Sequence, residues 1–314
     1  MNEFIVVRKP GKDNSHITIS LDGKKYGDAH FPYNFKDMDS FDYTLLDSST
    51  HAINLFVRTE AKADRQFGSI IKSNSNGTSY VLSASYVNGD ELNFADYEKV
   101  AGLEGAALIN VVANTDKGEK TKTLQTKMTH NDGADWGYLA PPAKDAEGKS
   151  YKCSSSKGDK SCALHLHHYT ERDDKRRTFA AATAVGVIFG VGNVGSSLGN
   201  IKDADTFMTI DGGITWKSVK KGHWTWQYGD QGSIIVLVKR STARSEVKTN
   251  TVTFSVDGGN SWKDYKFDDK ESTVLDLTTV SSGSSRNFIL WRHTEDGKLS
   301  SVNLDFTGFA DKAC

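Results

Sequence analysis

Two segments of this sequence say nearly the same thing: MTIDGGITWKSV at 208–219 and FSVDGGNSWKDY at 254–265. Aligned on the acid they read Thr209-x-Asp211-x-Gly213-x-Thr215-Trp216 and Ser255-x-Asp257-x-Gly259-x-Ser261-Trp262, 46 residues apart. An Asp side chain accepts the backbone N–H groups that a tight turn between antiparallel strands leaves unpaired. A glycine takes the positive φ such a turn needs, and the Trp carries a large apolar ring between neighbouring sheets. THNDGADW supplies a third copy, with Asn131 in place of the acid beside Gly133 and Trp136. SNSNGTSY at 73–80 and SLDGKKY at 20–26, built on Asp22, are eroded copies. The pattern is known as the Asp box. Intervals of roughly 50 residues, stretched to about 80 before the fourth copy, match one four-stranded propeller blade per unit.

The rest of the chain agrees. Short alternating runs such as HITISLD, TKTLQTKMTH, GSIIVLVK, NTVTFSVD and RNFILWRH recur between Gly, Asn and Asp turns, so the expected class is all-β, about five blades plus extra strands. The one helical candidate is 93–108, NFADYEKVAGLEGAAL. With 39 basic against 40 acidic residues there is no electrostatic footprint for nucleic acid or an anionic membrane, and the basic KRR at 175–177 is compensated by the preceding ERDD. No basic leader with an apolar core opens the sequence, and the longest apolar run, 179–195, is shorter than the roughly 20 residues of a membrane span and broken by glycines.

Chemistry-bearing residues are few. Cys153 and Cys162 bracket a flexible SSSKGDKS segment that can close a small disulfide loop; with the neighbouring histidines they could instead offer zinc ligands, although Cys-x8-Cys followed by His-x-His matches no finger spacing. Cys314 is left over at the last position. His165, His167 and His168 cluster beside that loop; they read either as ordinary strand histidines or as pH-sensing groups. Asn76-Gly77-Thr78 is the single acceptor motif for an N-linked glycan. Gly190-x-Gly192-x-x-Gly195 follows a strand-like run but no helical pattern stands behind it, so no nucleotide cofactor is expected; no metal is expected either. The Asp box also occurs in sialidase-like glycoside hydrolases, which makes such an enzyme the alternative reading. None of Pro10, Pro32, Pro141 and Pro142 follows the Arg-Ile pair those enzymes carry, and no arginine triad is spaced for one.

Long stretches, among them CALHLHHYTERDDKRRTFAAATAVGVIFGVGNVG and DTFMTIDGGITWKSVKKGHWTWQYGDQGSIIVLV, resemble the luminal ten-bladed propeller of the sortilin-type vacuolar protein-sorting receptors, and the likeness runs from about residue 4 to the end. The resemblance implies the second half of such a propeller, with Cys314 opening the cysteine-rich modules that follow it in the family and with the strands after Trp262 completing the family's first blade. It implies a non-catalytic receptor, part of a single-pass type I membrane protein in the lumen of Golgi and endosomes. Its expected partners are soluble vacuolar hydrolase precursors such as carboxypeptidase Y, bound through their propeptides and released in acid. Where some relatives carry a ligand-holding Arg, this sequence has Ser15 and His16, so the ligand-binding residues stay unassigned.

Overall fold

A computed structural model describes residues 3–9, 16–35, 43–62, 64–116, 121–153, 158–172, 179–241 and 246–309. The KRR run, Ser15 and Cys314 lie outside the described residues, as does the side chain of His16. The described residues are all-β, arranged as six blade units. The first holds β1 (Ile5–Lys9), β2 (His16–Ser20) and β3 (Gly27–Asp28); the second β4 (Tyr43–Asp47), β5 (Asn54–Glu60), β6 (Phe67–Ser73) and β7 (Tyr80–Asn88). The third holds β8 (Tyr97–Lys99), β9 (Ala107–Val112), β10 (Leu124–Thr129) and β11 (Gly137–Tyr138); the fourth β12 (Ala163–Leu166), β13 (Ile188–Gly195), β14 (Asp205–Thr209) and β15 (Lys217–Lys220). After β16 (Trp224–Gly229) and β17 (Ile234–Lys239) come the short β18 (Lys248–Thr249), then β19 (Thr251–Ser255) and β20 (Lys263–Lys266). The fifth blade is β16-β17-β19-β20, while β18 joins β21 (Ser272–Thr278), β22 (Asn287–His293) and β23 (Leu299–Asp305) in the sixth. Every pairing between these strands is antiparallel; one pair, Val87 with Val111, links the second and third blades, and an isolated parallel bridge joins His30 to Ser79 between the first and second.

Why these sequences make central strands follows from the period of two. Along β17, Ile235 and Leu237 enter the core shared with the third and fourth blades, while Ile234, Val236 and Val238 enter the core shared with the sixth. Along β5, Leu55 and Val57 face the first blade and Phe56 faces the third. A strand covered on both faces needs apolar residues at every position, which is why GSIIVLVK carries no polar alternation. On β22 only one face is covered: Phe288 and Leu290 are buried, whereas Ile289 is 42% and Trp291 39% exposed.

The Asp boxes close the hairpin between the last two strands of each blade. In the fourth blade Thr209 Oγ1 donates to Asp211 Oδ1 at 2.6 Å and accepts from Gly213 N at 3.1 Å. Asp211 in turn accepts from Thr215 N at 2.9 Å and Thr215 Oγ1 at 2.6 Å. Ser255, Asp257, Gly259 and Ser261 repeat that network in the fifth blade, and Thr129 with Asn131 repeats its core in the third. The indole N–H of Trp216 donates to Gly213 O at 3.1 Å, that of Trp136 to Ser83 Oγ at 3.2 Å, and Trp262 lies edge-on to Phe189. Ser20 and Asp22 do the same work in the first blade: Ser20 Oγ donates to Asp22 Oδ1 at 3.2 Å and accepts from Gly23 N at 2.8 Å, while Asp22 accepts from Lys24 N and Lys25 N. At 73–80 the duty has slipped by one residue: Asn74 Oδ1, not position 75, takes the N–H groups of Thr78 and Ser79.

Each turn also rests on its predecessor. The residue just before one box meets the turn of the next: Ile19 against Gly77, Lys72 on Asp132, Met128 against Gly213 and Met208 against Gly259. Gly213 and Gly259 have φ of +94° and +87°, and a Cβ on either would collide with the methionine thioether it covers. These two positions therefore need glycine twice, for the backbone and for the fit.

Two expectations change. Residues 93–108 form no helix; Asp96, Glu98 and Val100 are buried alternately around β8, and Asn93, Gly102 and Gly105 hold positive φ. Of the strands after Trp262, β20 closes the fifth blade while β21, β22 and β23 make a sheet of their own with β18, and its β22–β23 turn is a sixth, shortened box in which Thr294 Oγ1 donates to Asp296. Gly190 to Gly195 lie inside β13 of an antiparallel sheet, which leaves no phosphate-cradling loop there.

Candidate functional site

The three histidines fall at one place, where the fourth blade's first strand leans on the third blade without a backbone ladder. One backbone bond, from Leu164 N to Leu139 O at 3.1 Å, and a set of side chains make the joint. His165 Nδ1 accepts the N–H of Thr126 on β10 at 3.0 Å, and its Nε2–H donates to Gly195 O at 3.1 Å. Leu166 N donates to Thr126 Oγ1 at 2.8 Å, Thr126 Oγ1 donates to Asn110 Oδ1 at 2.7 Å, and Asn110 Nδ2 donates to Leu166 O at 3.0 Å. Every polar group of this ring of contacts is satisfied with His165 neutral. Burial pulls the His165 pKa down to about 4, against a smaller upward pull from the bond to Gly195.

Past β12 the chain turns and grips the third blade with charge. Asp96, fully buried, accepts from Asn88 Nδ2 at 2.7 Å, Thr170 N at 2.8 Å and Thr170 Oγ1 at 3.0 Å. Glu98 accepts from Arg172 at 2.7 Å and from the N–H of Phe179, and the guanidinium lies 4.9 Å over the Phe179 ring. Burial raises the pKa of both carboxyls, with Arg172 opposing the rise at Glu98. His167 Nδ1 meets Glu171, its own N–H donating to Val191 O at 2.8 Å. His168 is sealed edge-on against Phe179; burial holds its pKa well below the usual histidine range, and the charges of Arg172 and His167 push the same way. Lys122 donates to Gly89 O at 3.0 Å and Gln66 O at 3.2 Å, and burial lowers its pKa against the pull of Asp96 and Glu171.

Sequence reasoning singled out the histidines of this joint and missed Asp96, Glu98, Thr170 and Arg172. The available signal was two acids two residues apart, Asp96 and Glu98, in a segment read as helix. Cys153 and Cys162 are bonded to each other, Cα atoms 5.7 Å apart, so they are not free to bind zinc; among the described residues no three His, Cys, Asp or Glu side chains are grouped to hold a metal ion. No helix among the described residues is long and apolar enough to cross a membrane.

Comparison with known families decides the family. The Sortilin-Vps10 profile, described as "Sortilin, neurotensin receptor 3", matches residues 1–277. The chain belongs to the Sortilin-Vps10 family. Among curated relatives it is similar to "Vacuolar protein sorting/targeting protein 10" of Fusarium vanettenii, 62% identical over 100% of this chain and 21% of that protein. The protein of the same name from Colletotrichum graminicola is 59% identical over 100% and 21%. This Sortilin-Vps10 chain thus spans about a fifth of the length of the curated relatives it matches. Among solved structures, tricorn protease is similar over 96% of this chain and 28% of that one, with a TM-score of 0.37 and 10% identity, a likeness too distant to bear on function.

Proposed function

We propose that this chain is the cargo-binding propeller section of a vacuolar sorting receptor. In this reading it faces the lumen of Golgi and endosomes, binds propeptide segments of soluble vacuolar hydrolase precursors such as carboxypeptidase Y, and lets them go in acid. The observation that carries the reading is likeness along its whole length to proteins named for vacuolar sorting and targeting. The buried, neutral His165 and His168 support an acid-responsive joint between blades. The sialidase-like alternative has only the shared turns behind it. Arg172, Arg286 and Arg292 are each engaged in a separate ion pair, with Glu98, Asp230 and Asp268.

Calorimetric titration with a vacuolar-hydrolase propeptide near pH 7 and near pH 5.5, which bracket ordinary histidine titration, tests the reading. Binding at the higher pH that weakens at the lower one is expected. A propeptide that binds at neither pH, or equally at both, would falsify the cargo or the release half of the reading respectively.

A further inference from the structure

Asn76 stands in the β6–β7 turn, in the one Asn-x-Thr sequence of the chain. In the regular boxes Gly212 and Gly258 stand where Asn76 does, and the acid one residue earlier, Asp211 or Asp257, is tied into the backbone. Here the slip of one residue has given that work to Asn74. Its carbonyl takes Gly77 N at 3.0 Å, and its side-chain oxygen takes Thr78 N at 3.0 Å and Ser79 N at 3.3 Å. Asn76 is exposed and makes no hydrogen bond among the described residues. The Thr78 hydroxyl only accepts, weakly, from Asn74 Nδ2 at 3.5 Å, so its own O–H is uncommitted. Both groups that glycan transfer uses are therefore free, and the turn holds its shape without either.

We propose that Asn76 carries an N-linked oligosaccharide on the outer edge between the first and second blades. The co-reactant is a lipid pyrophosphate-linked oligosaccharide. Asn76 Nδ2 bonds to the sugar's C1 as the C1–O bond to pyrophosphate breaks; the lipid pyrophosphate leaves with the electron pair, and Nδ2 loses one proton to the transferase. The inference rests on the luminal reading above. It adds that this stretch of the edge is open to solvent, because a glycan is bulky and strongly hydrated.

The test expresses the whole chain behind an added secretion signal in a eukaryotic host and reads glycopeptides from cells and medium together, so that a chain retained inside still reports. Peptide N-glycosidase release in heavy-oxygen water separates a removed glycan from spontaneous Asn-Gly deamidation. One site of modification is expected, lost in Asn76→Gln and Thr78→Ala and kept in Thr78→Ser. A bare Asn76 in chains whose Cys153–Cys162 bond is oxidised, which proves entry into the lumen, overturns the site and leaves the luminal reading intact. Protease sensitivity of the native receptor's propeller in sealed vesicles would instead overturn the luminal reading, whatever Asn76 does in the engineered route.

Discussion

At His165 both ring nitrogens are already committed, one as acceptor and one as donor, so a second proton has to break the bond from Thr126. The folded pKa lies near 4 while the unfolded chain titrates near the ordinary 6.5. A histidine with a lowered folded pKa contributes nothing above the unfolded value, and its stability is lost as pH falls from about 6.5 toward about 4. At pH about 5 the expected loss from His165 alone is about 2 kcal/mol relative to neutral pH. Denaturant midpoints at the two pH values should show that loss in the parent and a smaller one in His165→Gln. Equal losses in both would remove the ring from the account. Asp257 behaves oppositely. The Ser261 hydroxyl and backbone hold it at about 2, below its usual 3.8, so its contribution is present above the usual value and fades only below it. It is silent between pH about 5 and 7.

At the scale of elements, a box is half of a joint. Met128, next to last in β10 of the third blade, fills the space a Gly213 side chain would need in the fourth. Gly213→Ala is expected to lower stability by about 2–4 kcal/mol, combining positive-φ strain with overpacking. Adding Met128→Ala should restore part of that loss, a coupling that a thermal-denaturation double-mutant cycle would read. Strict additivity would mean that the two residues do not meet. The boxes were legible because Asp, Gly and Trp recur at fixed offsets, and the turns they close carried the fold class with them. The shortened turn at Thr294–Lys298 was not, since no aromatic residue stands at the Trp place, where even the eroded copies keep Tyr26 and Tyr80. Residues 93–108 misled because Ala, Leu and Glu favour helix locally, while burial on a two-residue period and positive φ at Gly102 and Gly105 override that preference. The polar joint was beyond reach for another reason. Asp96 and Thr170 are separated by 74 residues, as are Glu98 and Arg172, and no local pattern encodes such a meeting.

Across the whole molecule, a blade with two neighbours and a blade with one should respond differently to the same substitutions. Along β22, Phe288→Ala and Leu290→Ala should cost about 2–5 kcal/mol, whereas Ile289→Ala and Trp291→Ala should stay within about 1 kcal/mol. Along β17, Ile235→Ala, Val236→Ala and Leu237→Ala should all be costly, because each is fully buried. A thermal-midpoint scan that alternates in β22 and does not in β17 is the expected result. Uniform costs along β22 would mean that its open face is covered in solution. Both RNFILWRH and GSIIVLVK carry apolar residues in unbroken succession, so neither announced how many of its faces are covered or which blade lies opposite.

The dependence of each turn on the residue before the previous box bears on how such a chain could have grown. If ancestral blades multiplied by duplication, a segment cut at the edges of one sheet would carry a turn glycine away from the methionine it accommodates, and would meet a stranger at its new site. A segment offset by one hairpin, running from Met128 to Gly213 or from Met208 to Gly259, keeps lock and key together. The heritable module is then staggered relative to the visible sheet. Drift at one end of it, as at Lys72 and Asp132, has to be answered at the other.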